Sequence, residues 1–314
     1  MSNKGVKYFQ VAQGVWGMKL FFVNIYMIAN RRGIRQGWTL VDTGPKGSAG
    51  KIIAMAEALF GVGTQPLAIV LTHGHPDHAG SVEELLKHWD VPVYSHQLEI
   101  PYLSGIASYP PPDPTVGGLM SLLSTFFSME PINIGSKLRI IDTCEGFPEI
   151  PEWKIIHTPG HSPGHISLFL PLNTTLIAGD AFATTRSESL ICQLSGIKRL
   201  SGPPKFITTD WIQAAESVRK LAELEPRIVA TGHGPVMRGR ELQLALKNLA
   251  DNFDQTAIPY GGRYADDPAI AGESGPVYIP PFKSTTKFKV AVLLTGTVLG
   301  LTVAAVILNK RNRE

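Results

Sequence analysis

The segment Thr72-His73-Gly74-His75-Pro76-Asp77-His78 packs three histidines and an aspartate into six positions. A single loop histidine is ordinarily solvated, and Asp77 alone would serve as a helix N-cap. Four such residues together form a donor set of imidazole and carboxylate, which suits zinc and also iron or manganese. His73 and His75, two residues apart in a turn, can point to the same side. Asp77 and His78 can then face a second ion close to the first. Three further candidates lie downstream at the ends of apolar runs: His161 in Thr158-Pro159-Gly160-His161, Asp180 in Ile177-Ala178-Gly179-Asp180, and His233 in Thr231-Gly232-His233-Gly234. Two close cations can share a hydroxide, because a metal lowers the pKa of bound water from 15.7 to about 7. No serine or cysteine nucleophile is then required, and a Gly-X-Ser-X-Gly elbow is absent.

These residues must be positioned by strands. The apolar run 67–71 predicts a buried strand and 79–87 an amphipathic helix, so the histidine cluster occupies a strand-to-helix turn. Upstream, 8–15 and 18–29 are expected as two β segments, and 37–41 as a strand ending in the turn Asp42-Thr43-Gly44. The run 48–60 has helical spacing and stops at Gly61, as a C-capping glycine would stop it. Strands are expected over 137–141, 153–157, 166–170, 175–180 and 227–230, and helices over 210–224, with Asp210 as N-cap, and 240–253. Four prolines within 109–114 exclude regular structure there. The stretch 108–129 is therefore expected to be an insertion with a Leu/Met/Phe-rich helix. It could be a lid over an apolar substrate or a helix simply packed on the body.

The pattern is of two similar halves, each with strands ending in His or Asp, as in two sheets packed face to face with helices outside. The chain has 314 residues and 44% hydrophobic content, enough for one large domain and an appendage. A net charge of +3 without a dense Lys/Arg stripe excludes a nucleic-acid partner. The two cysteines, Cys144 and Cys192, form no CxxC pair and are expected to be ordinary thiols. The polar N-terminus shows no apolar signal segment, and the folded body is expected in the cytoplasm. The uncharged run 290–308 would span about 28 Å as a helix, close to the thickness of a hydrocarbon core, and is flanked by lysines and arginines. It is expected to be a single transmembrane anchor in the lipid bilayer. Its Gly296-x-x-x-Gly300 pattern could pair two anchors in a homodimer.

Taken together, His73, His75, Asp77, His78, His161, Asp180 and His233 resemble the ligand set of the metallo-β-lactamase superfamily, with its HxHxDH motif followed by a later His, Asp and His. The resemblance covers roughly residues 8 to 250. It implies an αββα sandwich of two mixed β-sheets with outer helices, to which the sequence adds one C-terminal transmembrane helix. It implies two divalent metal ions, zinc first, with iron or manganese as alternatives. His73, His75 and His161 would bind one ion, Asp77, His78 and His233 the other, and Asp180 would bridge. Asp77 and Asp180 are the expected catalytic carboxylates. Asp42, in a turn like the family's, is expected to hold a ligand histidine from behind. His165 matches no ligand position and is expected to be structural.

The domain layout that follows is a hydrolase domain over 1–258 carrying the insertion, a Gly/Pro-rich linker over 259–289, the anchor over 290–308 and a basic tail over 309–314. The expected function is hydrolysis of an ester, thioester or lactone in a small molecule by a metal-bridging hydroxide. The alternatives are a phosphoester hydrolase or a non-catalytic metal- or ligand-binding protein of the same fold. Within the superfamily, the aspartate at 180 disfavours β-lactamase activity and His75 disfavours the flavodiiron reaction. The stretch Ala181-Phe182-Ala183-Thr184-Thr185-Arg186 lacks the tyrosine that quorum-quenching lactonases carry after the bridging aspartate. Clear counterparts of the glutathione-binding cations of glyoxalase II are missing as well.

Overall fold

A computed structural model describes residues 6–30, 36–142 and 147–283. The N-terminal half forms a seven-stranded sheet in the order β1 (Phe9–Ala12), β2 (Val15–Leu20), β3 (Val23–Asn30), β4 (Gly37–Val41), β5 (Ala68–Val70), β6 (Val93–Ser95) and β7 (Leu138–Ile140). The first four strands run antiparallel and β4 to β7 run parallel. The second sheet has five strands, β8 (Lys154–His157), β9 (Ile166–Leu170), β10 (Thr175–Ile177), β11 (Ile228–Ala230) and β12 (Met237–Arg238), in the order β12-β11-β10-β9-β8. Only β10 and β11 pair in parallel there.

The period-two alternation of side chains sorts these strands into layers. In β3, Tyr26 and Ile28 face the second sheet and pack with Ile166, Leu168 and Ile177. Ile25 and Met27 point the other way, onto Ile52 and Met55 of the helix Ala49–Phe60. In β9, Leu168 and Leu170 face inward while Phe169 meets Trp211 and Val218 of the helix Trp211–Ala222 and Leu246 of the helix Gly239–Asp251. A one-residue slip in either strand would exchange the two sets, and each large apolar side chain contributes about 1.5–3 kcal/mol on burial, so the register is firmly fixed. The αββα sandwich is the result.

Three expectations change. Among the described residues no helix is long and apolar enough to cross a membrane. The transmembrane helix, its homodimer motif and the membrane localisation drawn from them therefore have no support in the fold, and the run 290–308 on which they rested lies outside the described residues, as does Cys144. The stretch 259–289, expected as linker, is folded against the body as far as it is described. It carries the hairpin β13 (Ile270–Gly272) and β14 (Gly275–Tyr278), buries Tyr264, and returns Ala269 N–H to Thr209 O at 3.0 Å. The β segment 18–29 is two strands, because the chain reverses at Phe21, whose φ is +61°. The insertion holds a short helix Leu119–Leu123 followed by a 3₁₀ turn Ser124–Phe126.

Candidate metal centre

The carboxyl ends of β4, β5, β8, β10 and β11 converge on one edge of the sandwich. Each is followed within a few residues by one of the singled-out side chains: Asp42 after β4, His73 after β5, His161 after β8, Asp180 after β10 and His233 after β11. Parallel pairing of β4 with β5 and of β10 with β11 puts these ends side by side. Three triads of donor atoms result, each with its atoms within 4.8 Å of one another: His73, His75 and His161; His73, His78 and Asp180; Asp77, His78 and His233. Six of the seven residues are buried, and only Asp77 is partly exposed.

The imidazoles are oriented by hydrogen bonds at their far nitrogens. His78 Nδ1 donates to Asp42 Oδ2 at 2.8 Å, and His233 Nδ1 donates to Phe22 O at 2.8 Å. His161 Nδ1 lies 3.1 Å from Thr208 Oγ1, whose own proton goes to Pro204 O. His73 Nδ1 lies 3.0 Å from Thr72 Oγ1, which in turn donates to Asp42. In each case Nδ1 is turned to its partner and Nε2 faces the cluster. His75 is reversed and presents Nδ1, 3.0 Å from His161 Nε2. Asp180 is the hub, with its oxygens 3.6 Å from His78 Nε2, 3.5 Å from His161 Nε2 and 3.1 Å from His233 Nε2.

Among the described residues, His73 Nε2, His78 Nε2 and Asp180 Oδ1 are buried without any hydrogen-bond partner. An orphaned buried polar atom costs about 1–3 kcal/mol, and three aimed at one point fit divalent cations held by nitrogen and oxygen. The close approach is permitted by Gly232, where a Cβ would lie 2.0 Å from Asp180 Oδ1. Asp42 is held at φ +61°, a left-handed conformation that aspartate tolerates better than most residues. Its Oδ1 also accepts from Thr72 N–H at 2.7 Å, which fixes the turn before His73. Asp42→Asn should present an amide N–H to one of these donors and weaken metal affinity by about 10–100-fold. A chelator competition titration that found unchanged affinity would refute that role.

Charge in the cluster is uneven. Burial pushes His73 and His161 well below the usual histidine range and takes His75 down to about 4. Burial acts likewise on His78 and His233, but Asp180 and Asp77 outweigh it, lifting His78 well above its ordinary value of 6.5 and His233 up to about 10. Asp180 is itself buried, yet His233 and His78 hold it well below the carboxylate range. A cation entering here must displace those two imidazolium protons. Zinc added to chelator-treated protein should therefore release protons at neutral pH, and its affinity should rise as pH climbs from 6.5 towards about 10. Calorimetry in buffers of different ionisation enthalpy counts those protons, and a pH-independent affinity would contradict the assignment.

A sequence profile described as the metallo-beta-lactamase superfamily matches residues 18–233. The chain belongs to that superfamily. Probable metallo-hydrolase YflN of Bacillus subtilis (strain 168) is 43% identical over 246 residues, covering 78% of this chain and 93% of that protein. Two solved structures share the fold at lower identity. A beta-lactamase domain protein from Burkholderia ambifaria matches with a TM-score of 0.56 at 20% identity, covering 80% of this chain and 76% of its own. TTHA1623, in a di-iron-bound form, matches at 0.50 and 24%, covering 71% and 92%. The match to the superfamily spans all seven His and Asp positions of the centre.

The superfamily motif does not mark every residue that builds the centre. Glu99 is fully buried and braces both metal-facing loops. Its Oε2 accepts from Gly74 N–H at 2.9 Å, and its Oε1 accepts from Gly164 N–H at 2.7 Å and Ser162 Oγ at 2.7 Å. Tyr109 also donates to Oε2, and its ring leans on that of His75, with centroids 4.4 Å apart. His165 is no member of the triads. Its Nε2 accepts from Asp180 N–H at 2.8 Å and its Nδ1 lies 2.8 Å from Thr158 Oγ1, so it sets the backbone from which Asp180 projects. Asn24 steadies the His233 turn by donating to Thr231 O at 2.9 Å and Gly234 O at 2.8 Å. Glu99, Tyr109 and Asn24 stand in no local pattern that would signal their roles, whereas His165 is already set apart from the ligands by the motif.

Proposed function

We propose that the chain is a binuclear metal-dependent hydrolase of an ester, thioester or lactone with an apolar arm. The observation that carries this reading is the cavity over the centre. His75, Asp77, His161, Asp180 and His233 form one wall of a space of about 490 Å³, and Leu20, Phe22, Met120, Phe127, Phe206 and Ile207 form much of the rest. A single lysine, Lys46, and no arginine stands among the described lining residues. Beyond the cations that the centre would hold, a phosphoryl group would find that one lysine alone, and the largely apolar lining favours an acyl substrate with an apolar arm.

In this reading His73, His75 and His161 hold one cation, Asp77, His78 and His233 the other, and Asp180 reaches both. Bound there, two divalent ions would provide hydroxide at neutral pH and polarise a carbonyl oxygen. The protein does the rest. His75 and His161 are locked by Tyr109 and Thr208, so the reacting group meets a fixed wall. Asp77, with its side chain 43% exposed and Oδ2 3.3 Å from His233 Nε2, is the carboxylate placed to carry a proton between the centre and the cavity. Phe127, Phe206 and Ile207 keep bulk water from the apolar arm.

The test is metal analysis together with turnover of an acyl lactone, a thioester, an aryl ester and a phosphodiester, after loading with zinc or with iron. About two metals per chain and metal-dependent cleavage of an acyl substrate are expected. Cleavage of the phosphodiester alone would replace the reading with phosphoester hydrolysis. Bound metal without turnover of any of the four would leave a binding protein.

A further inference from the structure

The apolar cavity contains an anomaly away from the metal-facing wall. Gln193 and Ser187 both line it, at 3% and 1% exposure, and among the described residues Gln193 Oε1 and Ser187 Oγ have no hydrogen-bond partner. The amide nitrogen of Gln193 is already committed, donating to Ser187 O at 3.4 Å, which leaves Oε1 as a pure acceptor. The helix that carries Gln193, Leu190–Ser195, starts on the Ser189 side chain, which accepts from Cys192 N–H. Gln193 N–H in turn donates to Ser189 O at 3.0 Å, so the residue is set in place by its own backbone. Burying a polar atom without a partner is unfavourable. Two of them among the residues that line one largely apolar cavity leave hydrogen bonds for a ligand to complete.

We infer that Gln193 and Ser187 form a specificity subsite for an uncharged N–H or O–H donor, a secondary amide or a hydroxyl, carried on the substrate's apolar arm. The inference rests on the reading of this cavity as the substrate's. Gln193 Oε1 can only accept, so a carbonyl, ether or carboxylate leaves it unsatisfied. Ser187 Oγ can both give and accept, which matches the carbonyl of an amide or the oxygen of an alcohol. An ammonium group is disfavoured, because Lys19 Nζ already donates to Gln193 O at 2.7 Å and places a cation beside the site. No carboxylate stands among the described lining residues except Asp77 and Asp180 of the centre. A site that hydrogen-bonds a ligand donor rejects the analogue lacking it, since its own polar atoms are then stranded.

Equilibrium binding of three matched probes to the full chain tests this without any turnover. The probes are N-hexylacetamide, 2-nonanol and 2-nonanone, which share the same chain length and differ in the donor. The amide or the alcohol should bind at least about tenfold tighter than the ketone in ligand-observed NMR titrations, the equivalent of about 1.4 kcal/mol, and the tighter of the two identifies the group. Gln193→Met, close in volume but without the acceptor, should bring all three to the affinity of the ketone. Dissociation constants within twofold of one another for the unaltered protein would overturn the inference, with no variant needed. So would a donor preference that survives in Gln193→Met. A failure here leaves the hydrolase reading intact, and a failure to hydrolyse leaves this binding result standing.

Discussion

Replacing His73 with alanine is expected to lower turnover by at least about a thousandfold and to reduce bound metal from about two ions per chain to one or fewer. His73 is singled out because its Nε2 belongs to two of the three triads, with His75 and His161 on one side and with His78 and Asp180 on the other. It is fully buried and its Nδ1 is already engaged by Thr72, so no neighbour can swing in to replace it. The measurement is metal content by mass spectrometry beside the best acyl substrate of the panel, with the melting temperature as a control for folding. A His73→Ala protein that keeps two metals and more than about a tenth of its turnover would remove the centre from the mechanism.

Replacing Glu99 with alanine should produce the largest loss of stability, about 3–5 kcal/mol. Three donors lose their acceptor at once, Gly164 N–H, Ser162 Oγ and the Tyr109 hydroxyl, and Gly74 N–H keeps only the Tyr109 oxygen. Burial raises the pKa of the Glu99 carboxyl, while those same donors pull it back down. At roughly 2–4 °C per kcal/mol for a chain of this class, the melting temperature should fall by about 10 °C. Gly74 lies between His73 and His75, and Ser162 follows His161, so metal affinity should fall as well. Glu99→Gln should lie between the two proteins. Its carbonyl oxygen still accepts at the Gly164 side, while its NH₂ group faces Gly74 N–H and the tyrosine hydroxyl. An alanine variant that melts within about 2 °C of the unaltered protein would show that the two loops hold their places without the brace.

The ligand residues were legible because metal chemistry leaves local marks. Three histidines and an aspartate within six positions are improbable for any other reason, and each later His or Asp follows a short apolar strand. The layered fold was legible for a related reason: strands buried on both faces read as continuous apolar runs, and the helices between them carry a 3.6-residue period. Turn chemistry was less readable. Phe21 takes φ +61° although it is aromatic, so nothing in the run Met18-Lys19-Leu20-Phe21-Phe22-Val23 announces a reversal. The 259–283 stretch read as linker because Gly and Pro dominate it. What holds it down is tertiary, since Tyr264 donates to Pro111 O at 2.6 Å and so ties it to the proline-rich insertion.

The sequence by itself determined which atoms could bind metal, their order along the chain and the alternation that makes two sheets. Only the tertiary structure decided how those atoms are aimed. The orientations of His78, His161 and His233 depend on partners far away in the chain, Asp42, Thr208 and Phe22 O. Glu99 and Gln193 likewise gain their meaning from burial, which turns an ordinary surface residue type into a brace for two loops or an acceptor in search of a donor. The reason is the range of the forces involved. Periodicity and ligand spacing are written between near neighbours in the chain, whereas hydrogen bonds and desolvation act between neighbours in space, which folding alone brings together.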